Sequence, residues 1–309
     1  MEQFKLQLKK QLQEKLGDSY HIMEKTVVHP NDTILTGLII QHQNSTIGAT
    51  FYLENLLKQY TNGSSLSELV TDIISQLSQA RKEPEIIQSL LQTDLDFETV
   101  KSRICFRLLN RSLNQQYLSD KVFLAFHDLA ISFYLAVDIA EDSLGSISLP
   151  HTLFDKWNIS LEELFSIAQE NMKMHMPAKI VSLSDLLNEM YEKDEFASIM
   201  NPPQFSEINM YTLTSENMTY GAGCMLYDDV LKTFSQEHQY QKVVIIPSSI
   251  HETLLLSYDS CNLDDVLNMV DEVNRTTVSK QEKLSDNIYI YDSSTNSISM
   301  KQNQRRSDQ

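Results

Sequence analysis

The sequence predicts an α+β fold, with antiparallel or mixed sheets built of hairpins and flanked by amphipathic helices. Three observations lead there. Two Ser-x-x-Glu capping boxes open apolar repeats at helical spacing. Several short runs are rich in β-branched and aromatic residues. These runs cluster in pairs around turn residues instead of alternating regularly with helices as βαβ units do. With 41% apolar and 22% charged residues, the 309-residue chain has the composition of a globular protein able to bury a core.

Phe4, Leu8, Leu12 and Leu16 recur at i+4 spacing, predicting a first helix that stops near Gly17. Tyr20 to Val28 and Ile34 to Gln41 read as strands split by the turn His29-Pro30-Asn31-Asp32. Ser65-Leu66-Ser67-Glu68 is a capping box, followed by Leu66, Leu69, Val70, Ile73, Ile74 and Leu77 along one helical face. Helix and strand compete over Val100 to Leu109, whereas Phe123 to Asp138 reads as one buried strand with Ile147 to Leu149 as a shorter partner.

Ser160 and Glu163 start a further helix with Leu161, Leu164, Phe165 and Ala168 inward, and Ser184 to Tyr191 predicts a short one. Met210 to Thr214 is a strand, and Ala222 to Phe234 a helix with Met225, Leu226, Val230 and Phe234 in register. Val243 to Ile246 is a buried strand ended by Pro247, and Thr253 to Ser257 is a second. Asn262 caps a helix facing inward with Leu263, Val266, Leu267 and Val270; Ile288 to Tyr291 and Ser297 to Met300 close the fold as a hairpin. The paired prolines at Asn201-Pro202-Pro203 divide the chain into an N-terminal lobe, 1–200, and a C-terminal lobe, 201–300, unless the two form one continuous domain. Residues 301–309 read as a disordered tail.

Composition excludes several functions. The seven glycines, about a third of usual usage, form neither a P-loop nor a dinucleotide fingerprint. Cys105, Cys224 and Cys261 are widely spaced, so neither a disulfide framework nor a zinc site is expected and a reducing, cytoplasmic setting fits. The first sixteen residues lack the apolar core of a signal peptide, and Leu129 to Val137 is too short to span a bilayer as a helix, so no membrane association is expected. A net charge of -17 opposes direct nucleic-acid binding, which depends on Lys and Arg displacing counterions. No cofactor is indicated.

Two places could carry chemistry. His127-Asp128 is an imidazole beside a carboxylate, the donor pair of metal-dependent phosphohydrolases; a strand-edge His next to a capping Asp is the commoner origin of such a dipeptide. Pro247-Ser248-Ser249-Ile250-His251-Glu252 gathers hydroxyls, imidazole and carboxylate just beyond a buried strand, making Ser249, His251 and Glu252 candidate catalytic residues. If extended, the segment puts Ser249 and His251 on one face and Glu252 on the other, a poor relay, and neither H-E-x-x-H nor G-x-S-x-G is present. Cys224 falls in the first turn of its predicted helix, where a thiol pKa would drop, although small residues there more often serve packing. Acidic pairs such as Asp228-Asp229 and Asp264-Asp265 read as solvated helix positions.

Thr50-Phe51-Tyr52-Leu53-Glu54, Gly221-Ala222-Gly223-Cys224-Met225-Leu226-Tyr227, Ile246 to Glu252, Val270 to Asn274 and Leu284 to Tyr289 together resemble a domain-of-unknown-function family of Gram-positive, gut-type anaerobes, over nearly the whole chain. The second half is more distantly similar to the YtpQ-like uncharacterised family of bacilli. The resemblance implies no activity and no catalytic residue; the occurrence of such genes among mobile elements implies an accessory role. Two readings stand: a cytosolic interaction protein whose partner has a basic surface, and a hydrolase or metal-dependent enzyme using the His251 region with His127 and Asp128.

Overall fold

Ten-residue runs on either side of Pro30 zip together as an antiparallel hairpin. In the computed structural model, which describes residues 1–44, 48–79, 95–140, 143–186 and 209–303, β1 (Tyr20–His29) pairs with β2 (Thr33–His42) from Tyr20↔His42 to His29↔Thr33. Asn31 and Asp32 turn the chain with left-handed φ of 59° and 44°, a region Asn and Asp enter more readily than most L residues. β3 (Gly48–Tyr52) pairs with the other edge of β2. This register sets Ile22, Ile40 and Ala49 side by side, with Leu38 next to Phe51.

Those residues pack against helices α1 (Glu2–Leu16), α2 (Leu53–Thr61) and α3 (Leu66–Gln79). α1 inserts Phe4, Leu8 and Leu12, the predicted stripe, and ends where Gly17 takes φ 71°. α3 inserts Leu69, Val70, Ile73 and Leu77. Its capping box is complete: Ser65 N-H donates to Glu68 Oε2 at 2.7 Å, and Glu68 N-H to Ser65 Oγ at 3.2 Å. Lys5 and Lys9 of α1 both donate to Glu24 of β1, at 3.2 and 2.9 Å.

The chain gathers into two compact units, Met1–Leu95 with Ala136–Ser146, and Asp96–Leu135 with Ile147–Gln309. The expected boundary at Asn201-Pro202-Pro203 and the last six residues of the expected tail lie outside the described residues, as does most of the predicted Ser184 to Tyr191 helix, of which a helical turn is seen over 183–186.

In the second unit the competition over Val100 to Leu109 resolves into a helical turn at Phe97–Val100, a 3₁₀ turn at Lys101–Arg103, and strand β4 (Ile104–Asn110), all seven residues of which are buried. β5 (Phe123–Phe126) and β6 (Leu129–Ala140, whose residues from Ala136 belong to the first unit) form a hairpin, with β4 on the far edge of β6 and β7 (Ser143–Ser148, of the first unit up to Ser146) also paired to β6. The single strand expected from Phe123 to Asp138 is therefore two. His127, at φ 53°, reverses the chain without the glycine that usually signals a two-residue turn.

α4 (Leu161–His175) begins as predicted, Ser160 Oγ accepting from Glu163 N-H at 3.0 Å, and buries Leu164, Ala168 and Met172. A six-stranded antiparallel sheet follows in the order β13-β12-β10-β11-β9-β8, from β8 (Ala178–Ser182), β9 (Met210–Ser215), β10 (Lys242–Pro247), β11 (Glu252–Ser257), β12 (Ile288–Asp292) and β13 (Ser297–Lys301). The helix expected over Ala222 to Phe234 is a 3₁₀ segment, Gly221–Leu226, and then α5 (Val230–Glu237), separated at Tyr227, which is extended. Met225, Leu231 and Phe234 are buried, while Leu226 and Val230 are only half-buried. α6 (Leu263–Thr276) is capped by Asn262 and packs Val266, Leu267 and Val270 on Val244, Ile246 and Ile288. Among the described residues no helix is long and apolar enough to cross a membrane.

Ser65→Ala is expected to cost about 1 kcal/mol through loss of the α3 cap, measurable by denaturant unfolding. The Lys9 and, less strongly, the Lys5 ammonium group hold the Glu24 carboxyl below its ordinary value of 4.5. Its contribution is present above that value and fades as pH falls through the lower folded-state value. Glu24→Gln should therefore flatten the acid limb of a stability-pH curve slightly, the pair being partly solvated.

Candidate functional site

The hairpin turn puts His127 and Asp128 at the end of β5 and β6, where the two side chains have separate roles. Asp128 Oδ2 accepts from Ser285 Oγ at 2.6 Å and from Asn287 Nδ2 at 3.0 Å, and Oδ1 accepts from Tyr289 Oη at 2.6 Å. The His127 ring lies exposed with Nε2 3.0 Å from the Ile298 carbonyl. Among the described residues no group of three His, Cys, Asp or Glu side chains could hold a metal ion. The sheet buries Tyr289, and burial beside the Asp128 charge raises its phenol pKa.

The segment after β10 is a loop, not the extended chain on which the sequence argument ran. Pro247 pairs with Thr253, and the residues between fold back through Ser249 N-H to the Glu252 carbonyl at 3.1 Å. Ser249 Oγ accepts from the His251 backbone N-H at 3.0 Å, and Ser248, not Ser249, donates to Glu252 Oε1, also at 3.0 Å. His251 Nδ1 accepts from Tyr220 N-H at 3.3 Å, and the rings stack with centroids 5.8 Å apart at 16°. His251 and the His127-Asp128 turn thus have different partners throughout.

Tyr220 leads from His251 to a constellation the sequence did not single out. Its φ of 51° delivers the chain into Gly221, where a Cβ would lie 2.4 Å from Ser215 N and 2.5 Å from the His251 carbonyl oxygen. No side chain fits there. Tyr220 Oη accepts from Arg107 Nη1 at 3.0 Å. Arg107 Nη2 donates to Tyr117 Oη at 2.5 Å and to Ser148 Oγ at 2.9 Å, and those two hydroxyls lie 2.6 Å apart. The guanidinium carbon lies 5.1 to 5.9 Å from the ring centroids of Tyr220, Tyr134 and Tyr117, within cation-π range. Arg107 is 4% exposed, and its Nε has no hydrogen-bond partner.

Cys224 departs from expectation. It is buried in the 3₁₀ segment and burial pushes its thiol up to about 11, although a hydrogen bond with Tyr227 partly opposes this. The helix-terminus argument for a lowered value fails because α5 starts six residues later. A surface groove of about 390 Å³ bordered by Glu98, Lys101, Ser166 and Glu170 shares no residue with any of these clusters.

Compared with known families, the chain matches one profile over residues 1–293. The chain belongs to DUF5688, a family of unknown function. No curated protein and no solved structure matches it. Within this DUF5688 chain the Gly221 to Tyr227 stretch meets the Ile246 to Glu252 stretch where Gly221 approaches the His251 carbonyl. Leu284 accepts from Asn110 Nδ2 at 2.9 Å, and Ile250 N-H donates to the Glu282 carbonyl at 2.9 Å.

Asp128→Ala strips three donors of their acceptor, with a cost of about 3 kcal/mol expected, against about 1 kcal/mol for Tyr289→Phe. Equal losses in chemical denaturation would show that Asp128 contributes only through Tyr289. Gly221→Ala, forced against backbone, should cost at least as much as Asp128→Ala.

Proposed function

We propose that this chain is a cytoplasmic accessory protein that docks a partner with a basic surface through the outer face of α6. The observation that carries this reading is the ridge Asp265, Met269 and Val273. These residues recur at i+4 spacing on a helix whose adjoining face, Val266, Leu267 and Val270, is already buried in the core. Met269 and Val273 are 40% and 42% exposed. Asp265 and Glu272 are exposed beside them. An apolar pair ringed by carboxylates suits a partner presenting Lys or Arg around a small apolar contact, with the net charge of -17 supplying steering.

Three free cysteines, two of them buried, support a reducing compartment. The occurrence of the resembling genes among mobile elements supports an accessory role. The competing hydrolase or metal-enzyme reading draws on Ser249, His251 and Glu252 with His127 and Asp128. It is weakened by the engagement of Ser249 Oγ and His251 Nδ1 with backbone N-H groups, and of the Asp128 carboxylate with three side-chain donors.

The test is capture of the tagged full chain from its native cytoplasm, alongside D265K/E272K and M269E variants. The wild type should retain a stoichiometric partner that is released as ionic strength rises well above about 0.15 M, and both variants should lose at least about tenfold in recovery. Equal recovery by wild type and both variants, or a wild-type monomer with no partner, overturns the assignment to α6.

A further inference from the structure

We propose that Arg107 is the anchor of a binding site for a small oxyanion, a carboxylate or phosphate group, enclosed by Tyr117, Tyr134, Ser148 and Tyr220. A guanidinium stays charged at every physiological pH. Burying it without a counter-ion costs free energy, which is why buried charges are normally paired. Arg107 lies in the middle of a strand with every residue buried, and its hydrogen bonds run to neutral hydroxyls only. Among the described residues its hydrogen-bond and electrostatic neighbours are tyrosines and a serine, with no carboxylate among them.

A second orphan sits next to it. Ser132 is the cross-strand partner of Arg107 in the β4-β6 ladder, so the two side chains emerge on the same face of the sheet. Ser132 is fully buried, and its Oγ, like Arg107 Nε, has no hydrogen-bond partner. Two unsatisfied buried donors on neighbouring strands are rare in native proteins. Both are satisfied at once by an acceptor with more than one oxygen. Tyr117 Oη and Ser148 Oγ both accept from Nη2 and lie 2.6 Å apart, one donating to the other, which holds this side of the guanidinium in place.

Access follows from burial. Tyr117 and Tyr134 are 6% and 1% exposed, whereas Tyr220 and Ser148 are half-buried and form the rim. Lys121 Nζ lies 4.7 Å from the Tyr117 ring centroid but is paired with Asp120 Oδ1 at 2.7 Å, so Arg107 supplies the positive charge of the site. The enclosure favours a small group over an extended polyanion. Nothing in this site depends on the α6 surface.

The test titrates the full chain with sodium phosphate and, separately, sodium acetate, each against sodium chloride at matched ionic strength. Readouts are thermal unfolding and the Arg107 Nε-H signal in ¹H-¹⁵N spectra. One-site saturable stabilisation with movement of that signal is expected from at least one anion. A stronger response to acetate identifies a carboxylate ligand and a stronger one to phosphate a phosphoryl ligand. Ser132→Ala and Tyr220→Phe, which keep the buried charge, should weaken binding by about tenfold, and Arg107→Gln should abolish it. These two variants keep the test decisive if Arg107→Gln does not fold. The proposal is overturned if neither anion stabilises beyond chloride, or if Ser132→Ala and Tyr220→Phe both bind as well as wild type.

Discussion

The second unit depends on where the Asp128 carboxylate finds its donors. Its oxygens accept from Ser285, Asn287 and Tyr289, which ties the β5-β6 turn to the run leading into β12. Around that contact a polar seam is completed from two other directions. Asn110 at the end of β4 donates to the Leu284 carbonyl, and Asn274 on α6 donates to the Ser285 carbonyl at 2.7 Å. Leu284 and Ser285 are fully buried, so these carbonyls have no water to fall back on. A slip of either sheet by one residue would leave several buried polar groups unpaired together. Hydrophobic packing alone sets no such condition.

The same logic holds at Tyr220 and Gly221. The 3₁₀ segment fits against β9 because Gly221 presents no Cβ to Ser215 and Thr214. This close approach places the Tyr220 N-H on His251 and its hydroxyl on Arg107. Gly223 repeats the device at lower stringency against the Phe106 ring, 3.1 Å from where a Cβ would stand. Gly221 and Gly223 thus serve close contact with a neighbour, while Gly17 serves a left-handed helix end.

Local chemistry made much of the fold legible. Ser65, Ser160 and Asn262 announce their helices because a cap needs only residues three apart or fewer. The Pro30-Asn31-Asp32 turn is equally self-contained. Errors arise where the deciding contact is distant in sequence. His127 is no turn former by composition, and the Asp128 contacts that hold it lie more than 150 residues away, at Ser285, Asn287 and Tyr289. The Ala222 to Phe234 periodicity fits one helix, yet the approach of Gly221 to Thr214, Ser215 and His251 bends the start into a 3₁₀ segment. Arg107 did leave a signal: one guanidinium inside Ile-Cys-Phe-Arg-Leu-Leu, a run too apolar for a solvated edge. Its four polar and aromatic partners, Tyr117, Tyr134, Ser148 and Tyr220, come from four other stretches of chain, which no local pattern reveals.

The chain's charge bears on what such a cage must do. A net charge of -17 repels free anions at long range, but that field is screened within about 8 Å at physiological ionic strength. At Arg107 the balance reverses, since the buried guanidinium and Ser132 act in a low-dielectric setting where each direct contact counts for more. An acidic surface and a buried cationic site are therefore compatible. The exterior lowers the encounter rate for anions, and the interior makes retention depend on matching donors in place. Selection then falls on shape and hydrogen bonding at Arg107, Ser132 and the tyrosine hydroxyls, not on net attraction.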